Sequence, residues 1–165
     1  MDQTKLINIT DEQGNTLPTL SAPVPDQYLM LSDSQKQDAI LNSDYCIISH
    51  PNQTDYFIRT YLIQKLSDNS EVLEYGVWIS ISKENLNKYL EGNVNDQIFP
   101  EYLCTQVFPY TDVYQIRMNI IISDSDQIPE SVPQDGQMSK PFVKDYYDGI
   151  TKKEALHRIK KVYNI

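Results

Sequence analysis

The sequence predicts an α+β fold, with residues 1–165 forming one domain: a mostly antiparallel sheet with about three helices packed on it. Three observations carry this. Residues 56–66 and 72–82 are strand-like runs on either side of Ser67-Asp68-Asn69-Ser70, a hairpin loop. Residues 113–123 place Tyr114, Ile116, Met118, Ile120 and Ile122 on one face. Helix starts are written at Ser32, Ser82 and Thr151, and the elements do not follow a βαβ order. All of this is read from the 165 residues.

In chain order, residues 1–30 read as an irregular N-terminal segment. A short strand is expected at 5–9, a turn at Gly14-Asn15, and no helix near Pro18, Pro23 and Pro25. Ser32 with Gln35 makes a capping box for a helix to about Leu41, burying Ala39, Ile40 and Leu41. Residues 44–49 form a strand and His50-Pro51-Asn52-Gln53 a turn. The hairpin follows, and a loop centred between Asp68 and Asn69 fixes its register: Ile58 opposite Ile79, Thr60 opposite Val77, Leu62 opposite Tyr75. Arg59 then lies across from Trp78 on the less apolar face, ~5 Å away and in cation–π range. Ser82 caps a helix over 83–91 that buries Leu86, Tyr89 and Leu90 and stops at Gly92. Residues 93–112 read as a packed connection, and 113–123 as a strand. An acidic loop runs from Ser123 to about Ser139. Pro141-Phe142-Val143 reads as a short strand and 144–149 as a helical turn ending at Gly149. The last helix starts at Thr151, with Glu154 completing Thr-x-x-Glu. It packs Ala155, Leu156, Ile159, Val162 and Tyr163 inward and turns its lysines outward.

Hydrophobic residues make up 40% of the chain and the net charge is −9, with a mean hydropathy of −0.48. The charge is uneven: residues 151–165 hold five basic residues against one acidic one, a net +4, which leaves −13 on the rest. An acidic body repels nucleic acid and anionic lipid and favours basic partners. No apolar run approaches the ~20 residues of a membrane-spanning helix. The first residues lack the basic start and apolar stretch of a signal peptide, so a cytoplasmic location is expected.

No motif encodes a reaction. Cys46 and His50 stand at i and i+4, ~13 Å apart on an extended strand, too far for a nucleophile and its base. Cys46, Cys104, His50 and His157 lack paired zinc spacing, so the two cysteines read as buried small hydrophobes. Asp124-Ser125-Asp126 resembles the first positions of a calcium loop, without its glycine and closing glutamate. No metal and no cofactor is expected. The carboxylates of this loop read instead as contacts for a basic partner. Trp78 is expected under the C-terminal helix; were it exposed, Trp78 with Arg59 would make an anchor.

Ser43-Asp44-Tyr45-Cys46-Ile47-Ile48, Tyr56-Phe57-Ile58-Arg59, Gly76-Val77-Trp78-Ile79-Ser80-Ile81-Ser82 and Asp148-Gly149-Ile150-Thr151 together resemble an uncharacterised bacterial family, domain of unknown function 2199, over about residues 17–160. Many of its members look as if they begin with Cys-x-x-Cys-Gly and carry a His-Pro pair before the Gly-Ile segment. This chain has no cysteine before Cys46 and reads Lys144-Asp145-Tyr146-Tyr147-Asp148 there, so neither feature carries over. The resemblance implies a bacterial α+β domain and no reaction.

Three functions are compatible with these residues. The first is a non-enzymatic protein-binding protein, an immunity or antitoxin protein that covers the active site of a basic bacterial toxin. Its contact residues are expected to be Asp124, Asp126, Glu130, Asp135, Tyr146, Tyr147 and Asp148. The alternative is an enzyme or small-ligand binder around Arg59 and Trp78, with Arg59 fixing an anion and aromatic rings stacking on a planar group. The third is a structural subunit acting as a homodimer.

Overall fold

A computed structural model of the chain describes residues 6–92, 97–123 and 127–165. In order the elements are β1 (Ile7–Asn8), β2 (Leu20–Ser21), α1 (Asp26–Leu29), α2 (Asp33–Asp38), β3 (Ile40–Leu41), β4 (Tyr45–Ser49), β5 (Thr54–Lys65) and β6 (Glu71–Ser80). They continue with α3 (Lys83–Leu90), β7 (Gln97–Tyr102), β8 (Arg117–Ile122), β9 (Glu130–Pro133), α4 (Pro141–Asp148) and α5 (Lys152–Tyr163).

The β5–β6 hairpin is the longest pairing, and its register is the one the loop predicts. Ile58 faces Ile79, Arg59 faces Trp78, Thr60 faces Val77 and Leu62 faces Tyr75. Side chains alternate across the pleat, so this register sorts residues onto two faces. Ile58, Leu62, Leu73, Tyr75, Val77 and Ile79 enter the main core, where Met118, Ile120, Phe142, Ala155 and Ile159 meet them. Phe57 and Trp78 point the other way, into a smaller cluster with Cys46, Ile48 and Cys104.

Around the hairpin the sheet runs β1-β6-β5-β9-β8-β7, with β2 also on β6, β4 on β5 and β3 on β4. It is mixed, not mostly antiparallel. β1 and β2 run parallel to β6, and β9 runs parallel to β5. These strands have two to four residues, too few to show a period of two; β1 falls within the strand expected at 5–9, whereas β2 and β9 fall in stretches read as irregular or as loop. After β7 the chain returns to β6: Leu103 bridges Ile79, and the Cys104 N–H donates to the Trp78 carbonyl at 2.9 Å. The backbone edge of β6 is thereby covered at both ends.

The described residues hold five helices where about three were expected. α1 has four residues, too short for periodicity. α4 begins at Pro141, where a strand was expected; proline suits the first helical position because its missing N–H has no partner there anyway. α2 carries the full Ser32–Gln35 capping box, but it ends at Asp38. Ile40 and Leu41 then pair with β4, and Ile40 stands 51% exposed rather than buried. Leu90 is also exposed. Strand β8 starts only at Arg117, because Gln115 has a φ of 65°, a left-handed conformation that ends strand pairing. At α5 the Thr151 hydroxyl accepts from the Glu154 N–H at 3.1 Å, while the Glu154 carboxylate turns to Arg158 instead of closing the box. Among the described residues no helix is long and apolar enough to cross a membrane.

Gly76 on β6 pairs with Ser21 of the parallel strand β2. A Cβ there would stand 2.7 Å from the Ser21 Oγ and 3.0 Å from its Cβ. Gly76→Ala is therefore expected to lower the unfolding free energy by about 1–3 kcal/mol. Ser21→Gly should recover part of the loss, and urea denaturation of the single and double variants measures both.

Candidate functional site

The outer face of the hairpin is divided. At one end Trp78 is 1% exposed. Its indole Nε1 donates to the Ala22 carbonyl at 3.0 Å, and Ala22, Tyr28, Leu31 and Ala39 pack over its cluster. The cover comes from the N-terminal segment and not from the C-terminal helix, which contributes Ala155 and Ile159 to the core on the opposite face. Arg59 lies opposite Trp78 as read, yet its Nη1 reaches the Ser43 carbonyl at 3.4 Å. The cation–π contacts formed are Lys36 over Tyr28 and Arg158 over Tyr110.

Beyond Gly76 the same face is open. A groove of about 480 Å³ is lined by Leu6, Tyr61, Ile63, Glu74, Gln127 and Ile128, among others. Leu6 is 53% and Ile128 41% exposed. Glu130 pairs with Tyr61 across β9 and β5. Burial raises the Tyr61 phenol above its ordinary pKa, and the charges of Glu130 and Glu74 add to the rise. Burial also raises the Glu130 carboxyl, against the opposing pull of Lys65.

Five of the seven expected partner contacts lie on or just after β9 and at the end of α4, and of these Glu130 adjoins the groove through Tyr61; Asp124 and Asp126 lie outside the described residues. Glu130 opens β9, Asp135 is exposed just after it, and Tyr146, Tyr147 and Asp148 form the last turn of α4. The Tyr147 hydroxyl donates to the Pro133 carbonyl, and the Tyr146 and Tyr147 rings meet edge to face at 5.1 Å. Tyr146 is pushed up to about 12 by burial first and then by Glu130. Tyr147 is raised by burial and then by Asp135. Asp148 is paired with Lys144 at 2.5 Å, so it offers a partner less charge than its neighbours do.

Arg158 holds α4 in this position. It is 2% exposed, whereas the helix reading turns only the lysines outward and does not name Arg158 among the inward residues. Its Nε donates to Glu154 at 2.9 Å, Nη1 to the Tyr75 hydroxyl at 3.2 Å and Nη2 to the Tyr110 hydroxyl at 2.9 Å. The Tyr110 hydroxyl donates in turn to Asp145 of α4 at 2.6 Å, and the Tyr75 hydroxyl to the Phe108 carbonyl at 2.7 Å. One fork thus ties β6, α4, α5 and residues 108–110 together. The signal was present in the sequence: Arg158 shares the apolar stripe with Ala155, Ile159 and Val162.

A second cleft, of about 390 Å³, lies at the far end of the hairpin beside Gln27, Asp55, Phe57, Ser80, Lys83 and Cys104. Its residues are largely committed. His50 bonds Asp55 at 3.0 Å. Cys104 is buried, and burial raises its thiol; burial lifts Cys46 to about 11. Both therefore rest as neutral thiols rather than nucleophilic thiolates near neutral pH. Nearby, burial raises the Glu101 carboxyl, against the opposing pull of Ser82 and Asn85 at the start of α3.

A mixed sheet with helices packed against it makes this an α+β protein. The chain belongs to the family described as "Uncharacterized protein conserved in bacteria (DUF2199)", which it matches over residues 8–150. Comparison with curated proteins and with solved structures finds no match.

Arg158→Lys keeps the charge and loses the fork. It is expected to cost about 1–3 kcal/mol, because the Glu154 and Asp145 partners are partly solvated; denaturant titration reads this directly. Glu130 gives a pH test. Its folded-state pKa is raised above the usual value, so the neutral form favours folding below that value, and the advantage is lost as pH rises through the folded pKa. Glu130→Gln should therefore raise Tm at pH ~7, by no more than about 3 °C for less than ~1 kcal/mol. The gain should shrink towards zero near pH ~4, as read by thermal denaturation at both values.

Proposed function

We propose that this chain is a non-enzymatic protein-binding protein, an immunity or antitoxin protein that neutralises a basic bacterial toxin by covering its active site. The observation that carries this reading is the gathering of Glu130, Asp135, Tyr146 and Tyr147 where β9 meets the end of α4, with Glu130 adjoining an open groove through its pairing with Tyr61. Tyrosines supply large amphipathic contact area. The carboxylates, on a body that carries −13 outside residues 151–165, speed encounter with a basic surface and select against acidic ones. Such a protein would act in the cytoplasm of the producing bacterium, without nucleic-acid or membrane partners of its own. The alternative, a small-ligand or catalytic site at Arg59 and Trp78, has weaker support because Trp78 is 1% exposed and offers a ligand no open face.

Co-expression with the product of the adjacent reading frame tests the proposal. The expected outcome is a stable complex, protection of the cell from that product, and an association rate that falls about tenfold or more as salt is raised. No complex and no protection would sink it.

A further inference from the structure

We propose that the open half of the hairpin's outer face reads an arginine side chain of the partner protein, stacked on Tyr61 between Glu74 and Glu130, with an adjoining aliphatic residue of the partner against Ile63, Leu6 and Ile128. This rests on the protein-binding reading above and assigns the chemistry of its central contact. Tyr61 stands on the middle strand of three. Glu74 comes from β6 on one side, opposite Ile63, and Glu130 from β9 on the other, opposite Tyr61 itself. Neighbouring strands are ~4.8 Å apart, so the two carboxylate-bearing positions straddle the phenol across ~10 Å of sheet. A planar guanidinium fits that interval: its face lies on the ring and its N–H groups point outward to both carboxylates. Ammonium is a compact point charge and serves only one of these contacts well, which favours arginine over lysine.

The walls are unusual for a surface that meets only water. Leu6 and Ile128 are exposed beside Ile63, so the groove offers apolar area next to two negative charges. Lys65 lies on the same face two residues beyond Ile63 and pulls against Glu130. It acts as an internal competitor for that carboxylate, so removing its charge should strengthen the site. A purely structural role for these residues predicts no such gain.

The test uses the full chain, isotope-labelled for NMR, titrated with acetyl-Leu-Arg-Leu-amide. The expected result is saturable shift changes centred on Tyr61, Ile63, Glu74 and Ile128. The lysine analogue should bind about threefold more weakly, and the glutamate analogue should give no saturable shifts here. Glu74→Gln should weaken binding about threefold or more, and Lys65→Gln should tighten it about twofold, both in chains whose thermal melts match the parent. Tyr61→Phe, which keeps the ring, should retain binding, and Tyr61→Leu should lose it. Shifts scattered over the acidic surface without saturation would overturn the assignment. Affinity unchanged in both Glu74→Gln and Lys65→Gln would overturn it equally. If the peptide fails to map here while the adjacent gene's product still forms its complex, the groove assignment falls and the binding-protein reading stands. If the peptide maps here and that product forms no complex, the groove stands and the toxin partner falls.

Discussion

The register of the β5–β6 hairpin is the constraint on which the other contacts depend. Nine residue pairs fix it, from Phe57 opposite Ser80 to Lys65 opposite Val72. A slip of one residue would send Ile58, Leu62, Val77 and Ile79 out of the main core and turn Trp78 into it. The loop at 67–70 limits the choice of register, and burial of the inner face and of the Trp78 end of the outer face locks it. Thr60 adds a polar lock, donating to the Ser131 hydroxyl at 2.8 Å inside the sheet. That bond holds β9, and with it Glu130, in register with Tyr61.

From this frame the two faces diverge. The inner face is closed by helices, and Arg158 sets where α4 and α5 lie through the Tyr75 and Tyr110 hydroxyls and the carboxylates of Glu154 and Asp145. Burying a guanidinium is unfavourable unless its donors are matched, and here the partners come from several elements at once. The outer face is closed over Trp78 by residues of the N-terminal segment and left open over Tyr61. Ser21, seated against Gly76, stands at the boundary between the two halves.

The hairpin was legible in the sequence because two long strands and a polar loop leave little choice of pairing. The helix caps at Ser32, Ser82 and Thr151 were legible for the same local reason. Strand β1 was legible as a short strand at 5–9, but its parallel pairing with β6 was not; β2 and β9 were not legible, since two to four residues carry no periodic signal and their partners are distant in sequence. Trp78 was correctly expected to be covered but assigned the wrong cover. The contacts with Ala22, Tyr28, Leu31 and Ala39 arise from a segment whose prolines suggested irregular chain. Arg158 was not named among the inward residues of the last helix, although its helical position lies on the buried stripe. Of the candidate contact residues, Glu130, Asp135, Tyr146, Tyr147 and Asp148 do come together, because β9 and the end of α4 meet at Pro133.

Membership in an uncharacterised bacterial family leaves the meaning of the open half-face to chemistry, and two carboxylates flanking a tyrosine beside exposed aliphatic residues suit a basic protein surface. The division of the hairpin's outer face is tested most directly by hydroxyl-radical footprinting of the isolated chain, read by mass spectrometry. Tyr61, Leu6 and Ile128 should be modified readily, and Trp78 and Phe57 should be protected although both are intrinsically reactive. Rapid oxidation of Trp78, with Tyr61 protected, would contradict it.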